Sequence, residues 1–263
     1  MCPPTYFDVE YSINPWMDPS RNVDHGLATE QWQEVKALLE SHGDRIRLLE
    51  PAPGLADMTF AGDAGFVWGD FFVPSNFRFE ERRGEVTHYV RWFKERGFTI
   101  NPIPEEILFE GQGDIVFGGH RAIAGHGSRS DPQALAQMRS LIPDVEFVAS
   151  MEIVDDHYFH LAMALSFLDE HTVLCYPPAF TPASLAELER TIETVIRVSR
   201  EDADVYFACN NLVVGDSFIV DGATDGLRKD LRAAGYDVVA CPVSEFKKSG
   251  GSLRCLVLTF LPQ

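Results

Sequence analysis

The 263-residue sequence predicts an α/β fold built as a ring of five similar units. Three observations predict it. Candidate helix starts near residues 29, 85, 131, 182 and 225 leave gaps of about 56, 46, 51 and 43 residues, the range in which internal repeats are expected. Two short apolar runs precede each helix and a third follows it, so every unit reads hairpin, helix, strand. No linker or break in composition interrupts the series, which predicts one domain over residues 1–263. The final strand, around Cys255, is expected to pair with the first, around Phe7, closing the ring and joining the termini.

Taken in order, Tyr6–Ile13 alternates as a strand does and Asn14-Pro15-Trp16 ends it. After Thr29, Trp32, Val35, Leu38 and Leu39 share one helical face, with Gly43 as C-cap; Arg45–Leu49 reads as a strand. Asp57–Gly65 is a strand-and-turn stretch leading into a hairpin over Phe66–Val73, followed by a helix from Glu85 to Arg96. Phe109–Asp114 leads into Ile115-Val116-Phe117 and a second strand near Ala122. Asp131 as N-cap with Pro132 at the first helical position starts the third helix, and Val145–Val148 is its strand. Tyr158–Ala162 and Val173–Tyr176 form the next hairpin, and Thr181-Pro182 opens the fourth and longest helix, ending near Ser199. A strand at Val205–Ala208 precedes the hairpin Leu212–Val214 and Phe218–Val220. The fifth helix lies between Thr224 and Gly235, and Val238-Val239 leads to the turn Ser249-Gly-Gly-Ser-Leu-Arg-Cys255.

Composition narrows the function. A net charge of −18 and a pI near 4.7 argue against nucleic acid and anionic membrane surfaces, and suit a cationic small molecule as readily as mere solubility. Five cysteines, an odd number without close pairs, suggest reduced thiols in a cytoplasmic setting. Neither a signal peptide nor a membrane span is expected.

If five units surround an axis, equivalent turns converge at one end. Asp63, Glu110, His160 and Cys255 each stand in such a turn of a different unit. Cys255, in a polar glycine-rich turn, is a candidate nucleophile, although a lone cysteine at a strand start also serves as core. His160 is a candidate acid and base, or a hydrogen-bonded core histidine. Glu110 would orient His160, hold a cation or simply be solvated; Asp114 would anchor its turn. Asp57 and Asp63 flank the apolar Met58-Thr59-Phe60, so neither belongs to an exposed charge run. Asp155-Asp156-His157-x-x-His160 suggests metal ligands, but a turn entering a strand would point them apart, so no metal is expected. Gly111-Gln112-Gly113 lacks the lysine and hydroxyl of a phosphate loop.

The chain resembles the guanidino-group-modifying (amidinotransferase or pentein) superfamily, which includes dimethylarginine dimethylaminohydrolases and arginine deiminases. The matching pieces are Asp57-Met-Thr-Phe-Ala-Gly-Asp63, Phe109-Glu-Gly-Gln-Gly-Asp114, Phe159-His160-Leu161 and Gly250-Gly-Ser-Leu-Arg-Cys255, in family order across nearly the whole chain. The opening Cys2–Met17 is similar to the group that includes cyanobacterial arginine dihydrolases. The resemblance implies a five-bladed α/β propeller of pseudo-fivefold ββαβ repeats and no cofactor. It implies Cys255 as nucleophile, His160 as acid/base and Glu110 as third catalytic carboxylate. It implies Asp63 gripping a guanidinium, Asp57 the α-amino end, and Arg82 and Arg129 the α-carboxylate, with Asn14 near the same end. It leaves room for homo-oligomers.

The departures bear on substrate. Arginine deiminases carry a second guanidinium-gripping aspartate in His-x-Asp; here it is Ala162. A buried donor left unpaired costs about 1–3 kcal/mol, which disfavours an unsubstituted nitrogen and favours a methylated one. Gly62 replaces an acid usual in the dimethylarginine enzymes, and the dihydrolases have Asn where this chain has Asp63. The expectation is hydrolysis of Nω-methylated arginine to citrulline and a methylamine. The alternatives are an arginine deiminase or dihydrolase, and a non-catalytic binding protein of the same fold.

Overall fold

The computed structural model describes residues 1–261. Helix α1 (His25–Ser41) is capped by Asp24, whose carboxylate accepts from Leu27 N, so it begins before the expected Thr29. The first complete unit is β1 (Gly65–Trp68), β2 (Phe71–Pro74), α2 (Glu80–Lys94) and β3 (Thr99–Ile100). The second opens with the single turn α3 (Gly111–Asp114) and continues through β4 (Ile115–Gly118), β5 (Arg121–His126), α4 (Ala134–Leu141) and β6 (Glu146–Glu152). The third repeats this with α5 (Leu161–Ala164), β7 (Leu165–Phe167), β8 (Thr172–Cys175), α6 (Pro182–Thr191) and β9 (Thr194–Arg197). After α7 (Arg200–Asp204), the fourth has β10 (Leu212–Val214), β11 (Ser217–Val220), α8 (Asp225–Ala233) and β12 (Asp237–Ala240). The one-turn α9 (Ser244–Lys247) and the strand β13 (Phe260–Leu261) complete the described chain.

Among the described residues the result is an α/β fold of four small sheets. In each, an antiparallel hairpin is followed by a helix that returns the chain to a third strand parallel to the second. Apolar side chains pack between helix and sheet, as where the rings of Phe72 and Phe93 stack at 4.1 Å.

The stretch expected to form the fifth unit carries no sheet of its own among the described residues. Tyr6–Ile13 and Arg45–Leu49 contain no strand. Phe7 is instead held by rings, stacking on Phe246 at 4.9 Å and meeting Phe60 edge-on at 5.6 Å. Arg45–Leu49 is tied to the chain start, with Met1 N donating to Arg47 O and Leu49 N to Met1 O. The last strand is β13, not the segment at Cys255. It pairs in parallel with β1, Val67 opposite Phe260, rather than with the segment at Phe7.

Other differences have local causes. Asp57–Gly65 folds as two 3₁₀ turns, Ala56–Thr59 and Ala61–Ala64. Helix α2 begins at Glu80, five residues early, with Glu80 and Glu81 in the first turn favoured by its dipole. Asp131 does not cap α4; its carboxylate accepts from Leu108 N. Helix α6 stops at Thr191, since the β-branched run Thr194-Val195-Ile196 enters the sheet as β9. That leaves α1, at 17 residues, the longest helix described. Val205–Ala208 is a turn rather than a strand.

Candidate active site

Five short segments meet where the units converge: residues 60–65, 110–115, 160–165, 207–212 and 252–257. Gly62 N donates to Cys255 O at 2.8 Å, joining the last to the first. The approach is so close that a Cβ on Gly62 would sit 2.8 Å from the Arg254 carbonyl oxygen, so this backbone contact leaves no room for a side chain. Leu161 N donates to Asp114 Oδ1 at 3.0 Å, and Asn210 Nδ2 to Ala162 O at 3.2 Å. Registers repeat: Glu110 and His160 each precede a one-turn helix, α3 and α5, that runs directly into a strand. Asp63 and Asn210 each stand two residues ahead of a strand, β1 and β10.

His160 and Glu110 are fully buried and joined by a hydrogen bond of 2.7 Å from Nε2 to Oε2. Glu110 also accepts from Arg129 at 3.0 Å and, through Oε1, from Arg78 N at 3.0 Å. Burial would raise its pKa, but Arg129 and His160 overcome burial and hold it well below the usual carboxylate range. For His160, burial pulls downward, yet Asp63, Asp114 and Glu110 together raise its pKa above the ordinary value. Both shifts favour a carboxylate facing an imidazolium. Asp114, pushed up to about 6 by burial, accepts from the Ser130 hydroxyl and from Leu161 N. It thus ties its turn to the following unit, where the sequence led us to expect an anchor made through the turn's own backbone amides. Gly113 lets His160 sit flush, since a Cβ there would lie 3.0 Å from the imidazole and 3.1 Å from Asp63 Oδ1.

Cys255 is buried and lines the same cleft as Asp63. Burial first, then the Asp63 charge, push its thiol up to about 12; the Ser252 backbone amide and the Asn210 side chain oppose them. At neutral pH it is a thiol.

The substrate-binding candidates are also brought together. Asp63 Oδ2 accepts from Arg82 at 2.8 Å, while Oδ1 lies 3.8 Å from His160 Nδ1. Asp57 Oδ2 accepts from Tyr11 at 2.9 Å, and burial raises the Asp57 pKa. Arg82 is not a free cation: its Nε and one terminal nitrogen fork onto Glu85 at 2.9 and 3.0 Å. Arg129 is similarly engaged, donating to Glu110 and to Ile13 O between the rings of Phe79 and Phe159. Asn14 pins the glycine turn by donating to Ser249 O at 3.1 Å. Asn14, Asp57, Asp63, Arg82, Arg129, Phe159 and Cys255 line one narrow cleft.

Several buried polar atoms in and around this cleft have no protein partner. They include Asp57 Oδ1, Asp63 Oδ1, His160 Nδ1 and the hydroxyls of Ser249 and Ser252. Orphaned buried acceptors are rare because each costs desolvation energy, and here they cluster beside a thiol. A larger cleft bordered by Met1, Arg47, Trp92 and Arg254 contains neither carboxylate.

Sequence reasoning missed three members. Tyr11 carries no signal. Glu85 stands one helical turn after Arg82, a spacing that pairs charges once the helix is known to start at Glu80. Asn210 was legible in the repeat, which named candidates in four units and skipped the one between His160 and Cys255.

The model for the eukaryotic N,N-dimethylarginine dimethylhydrolase family matches residues 8–261. An N(G),N(G)-dimethylarginine dimethylaminohydrolase of Mycobacterium tuberculosis is 38% identical over 262 residues, covering 100% of this chain and 85% of that protein. The bifunctional arginine dihydrolase/ornithine cyclodeaminase ArgZ of Synechocystis is 36% identical, over 98% of this chain but only 37% of ArgZ. The crystal structure of the ArgZ N-terminal domain, a C264S mutant bound to substrate, superposes with a TM-score of 0.93, covering 100% of this chain and 97% of that one.

Proposed function

The chain belongs to the N,N-dimethylarginine dimethylhydrolase family, and from that premise we propose that it hydrolyses Nω-methylated arginine to citrulline and dimethylamine. The observation that carries the reading is the pair of orphaned carboxylate oxygens on Asp57 and Asp63 beside Cys255, backed by the His160–Glu110 ion pair. An amino acid with a guanidinium at its far end satisfies both carboxylates at once. Asp63 takes the guanidinium and Asp57 the α-amino group. Arg82, Arg129 and Asn14 form the wall at the α-carboxylate end.

The geometry orders the steps. A guanidinium seated on Asp63 puts positive charge beside Cys255, favouring the thiolate that burial opposes; the thiol proton leaves to solvent. The sulfur bonds to the central guanidinium carbon. His160, held as imidazolium by Glu110, gives its proton to the departing dimethylamine as the C–N bond breaks. The neutral imidazole then takes a proton from water, and the hydroxide adds to the S-alkylthiouronium carbon. The C–S bond breaks, the adduct's hydroxyl proton passing to the departing thiolate as citrulline is released. No step calls for a cofactor.

Ala162 supports a methylated substrate, because it offers no acceptor to a second free NH₂. The likeness to the substrate-bound ArgZ domain supports a second reading, hydrolysis of free arginine. The same proposal takes the molecule as one domain and a five-bladed α/β propeller: four blades are the four sheets, and the fifth is the strandless stretch of Phe7, α1 and Cys255. Five unpaired cysteines suit a reducing, cytoplasmic setting.

Product analysis after separate incubation with asymmetric dimethylarginine and arginine tests the substrate. Citrulline with dimethylamine from the methylated substrate alone supports the proposal. Ammonia from arginine, with citrulline or ornithine, moves the chain to the second reading. Full turnover by a Cys255→Ser variant would sink the mechanism, and retained activity after His160→Ala would remove the acid/base role.

A further inference from the structure

We propose that Asn210, on the turn entering β10, is a further catalytic residue, its side-chain amide donating a hydrogen bond to the sulfur of Cys255 and aiming it for attack. The inference rests on the reading of Cys255 as nucleophile. Asn210 is fully buried, and both ends of its amide are used twice. Nδ2 lies 3.3 Å from Cys255 Sγ and 3.2 Å from Ala162 O. Oδ1 accepts from the backbone N–H groups of Arg254 at 3.1 Å and Cys255 at 3.4 Å. One rigid plane thus clamps the backbone that carries the sulfur and points a hydrogen at the sulfur itself. The partners fix the orientation of the amide: reversed, its oxygen would face the Ala162 carbonyl and its NH₂ would face two N–H groups.

An amide N–H can only donate. Its bond to sulfur strengthens as the sulfur gains charge, so it favours thiolate over thiol in a site where burial and Asp63 do the opposite. This is the logic of a preorganised donor aimed at developing charge, and it costs no reorganisation when the thiol ionises.

The turn that carries Asn210 is built under strain. Phe207 has φ +48°, the only positive value at a non-glycine residue described, and an aromatic side chain rarely adopts it. Asn210 N closes the turn onto Phe207 O at 2.7 Å. The Phe207 ring packs on Trp16 at 4.6 Å, and Trp16 is itself fixed by donating to His157 O at 2.7 Å. Such strain persists where the surroundings over-determine it, and it clusters at functional sites. The register agrees: Asn210 stands two residues before β10 as Asp63 stands two before β1.

The test compares Asn210→Asp and Asn210→Ala with the parent, reading both turnover and the rate of Cys255 alkylation by iodoacetamide across pH. Asp keeps the acceptor that clamps residues 254 and 255 but sets an acceptor, and a charge, against the sulfur. It should slow alkylation at every pH and lower kcat on the order of 10²-fold, with KM changed less than about threefold. Ala should lose kcat comparably. Alkylation and kcat within twofold of the parent in both folded variants would overturn the proposal.

Should neither variant fold, the parent answers alone. Methylthiolation of Cys255 should shift the side-chain NH₂ resonances of Asn210 and spare those of Asn211, whose amide donates to Ser166 and Ala208 O instead. Equal shifts, or none, would count against the contact. The two readings fail separately. A parent without turnover whose alkylation still depends on Asn210 sinks the functional reading only; a Cys255-dependent hydrolase indifferent to Asn210 sinks this one.

Discussion

Two buried arginines in this molecule answer to one spacing and do different work. Arg82 follows Asp63 by 19 residues and pairs with it at 2.8 Å; Arg129 follows Glu110 by 19 residues and pairs with it at 3.0 Å. Arg82 has a second carboxyl partner, Glu85, and one oxygen of Asp63 stays without a partner. Arg129 has no second acid. Its faces are covered by Phe79 and Phe159, and its one carboxylate is shared with His160. In the proposed function the first pair receives a cation from outside. The second is arranged to keep a proton on an imidazole inside. Equal spacing is not equal place: Asp63 stands two residues before β1 and Glu110 five before β4, and the neighbours decide the chemistry.

The sharpest way to break this comparison is Glu110→Gln. It strands Arg129 without its counter-ion and removes the charge that orients His160. Turnover should fall on the order of 10³- to 10⁴-fold, as when a carboxylate is taken from behind a catalytic histidine. Unfolding free energy should drop by about 3–5 kcal/mol, the cost of breaking a buried pair. Urea melts beside steady-state kinetics measure both, and a tenfold or smaller loss of kcat would deny the pair its special role.

Arg82→Ala is the matching change on the other side. It leaves Asp63 and Glu85 facing each other buried, so a loss of about 3–5 kcal/mol is again expected. The kinetic signature should differ, because Arg82 holds the carboxylate that receives the substrate. KM should rise more than kcat falls. A pure kcat effect would mean that Arg82 serves the chemistry rather than the binding.

A smaller effect concerns the thiol. With Cys255 pushed up to about 12 by burial and Asp63, its alkylation in the free protein should climb with pH through 10 without a plateau. A guanidinium ligand that leaves the sulfur uncovered should speed alkylation at pH 7. A plateau near pH 7 in the free protein would show that the thiolate needs no help from the substrate.

Much of this was legible beforehand, for physical reasons that also explain what was not. The spacing of four ββαβ units follows from period-two apolar runs, turn residues and helix faces, all local signals, although the first strand of the third was expected at Tyr158–Ala162 and lies at Leu165–Phe167. Their spacing brought Asp63, Glu110, His160 and Cys255 toward one place before any contact was known. The fifth unit was misread because Tyr6–Ile13 alternates like a strand while its buried side chains are satisfied by ring packing rather than by a ladder. The partners of the arginines were hidden because Arg82 and Arg129 look free in a sequence. Burial decides that each must be neutralised, and burial is a property of the assembled fold. Asn210 was hidden by chemistry rather than by position: an amide does not titrate, so a search for acids, bases and nucleophiles passes over it.

The mildest change on the Arg82 side is Glu85→Gln, and its sign separates the two pairs. Burial raises Glu85 to about 7 against an ordinary 4.5, even with Arg82 beside it, whereas Glu110 is held low. A carboxyl whose folded pKa is raised binds its proton more tightly when folded. Its contribution to stability is therefore complete below about 4.5 and is lost as pH rises through about 7. Glu110 has the opposite sign: its contribution is present above the ordinary carboxylate range and is lost only in strong acid. The parent should lose stability between pH 5 and 7, with Asp114, at about 6, adding to the same slope. Glu85→Gln cannot ionise, so it should flatten that slope by about 1–2 kcal/mol over the window while changing kcat little. Its stability curve should cross that of the parent as pH rises. Parallel curves for Glu85→Gln and the parent from pH 5 to 7 would mean that Arg82 holds Glu85 ionised throughout, and that the two arginine pairs differ in their walls alone.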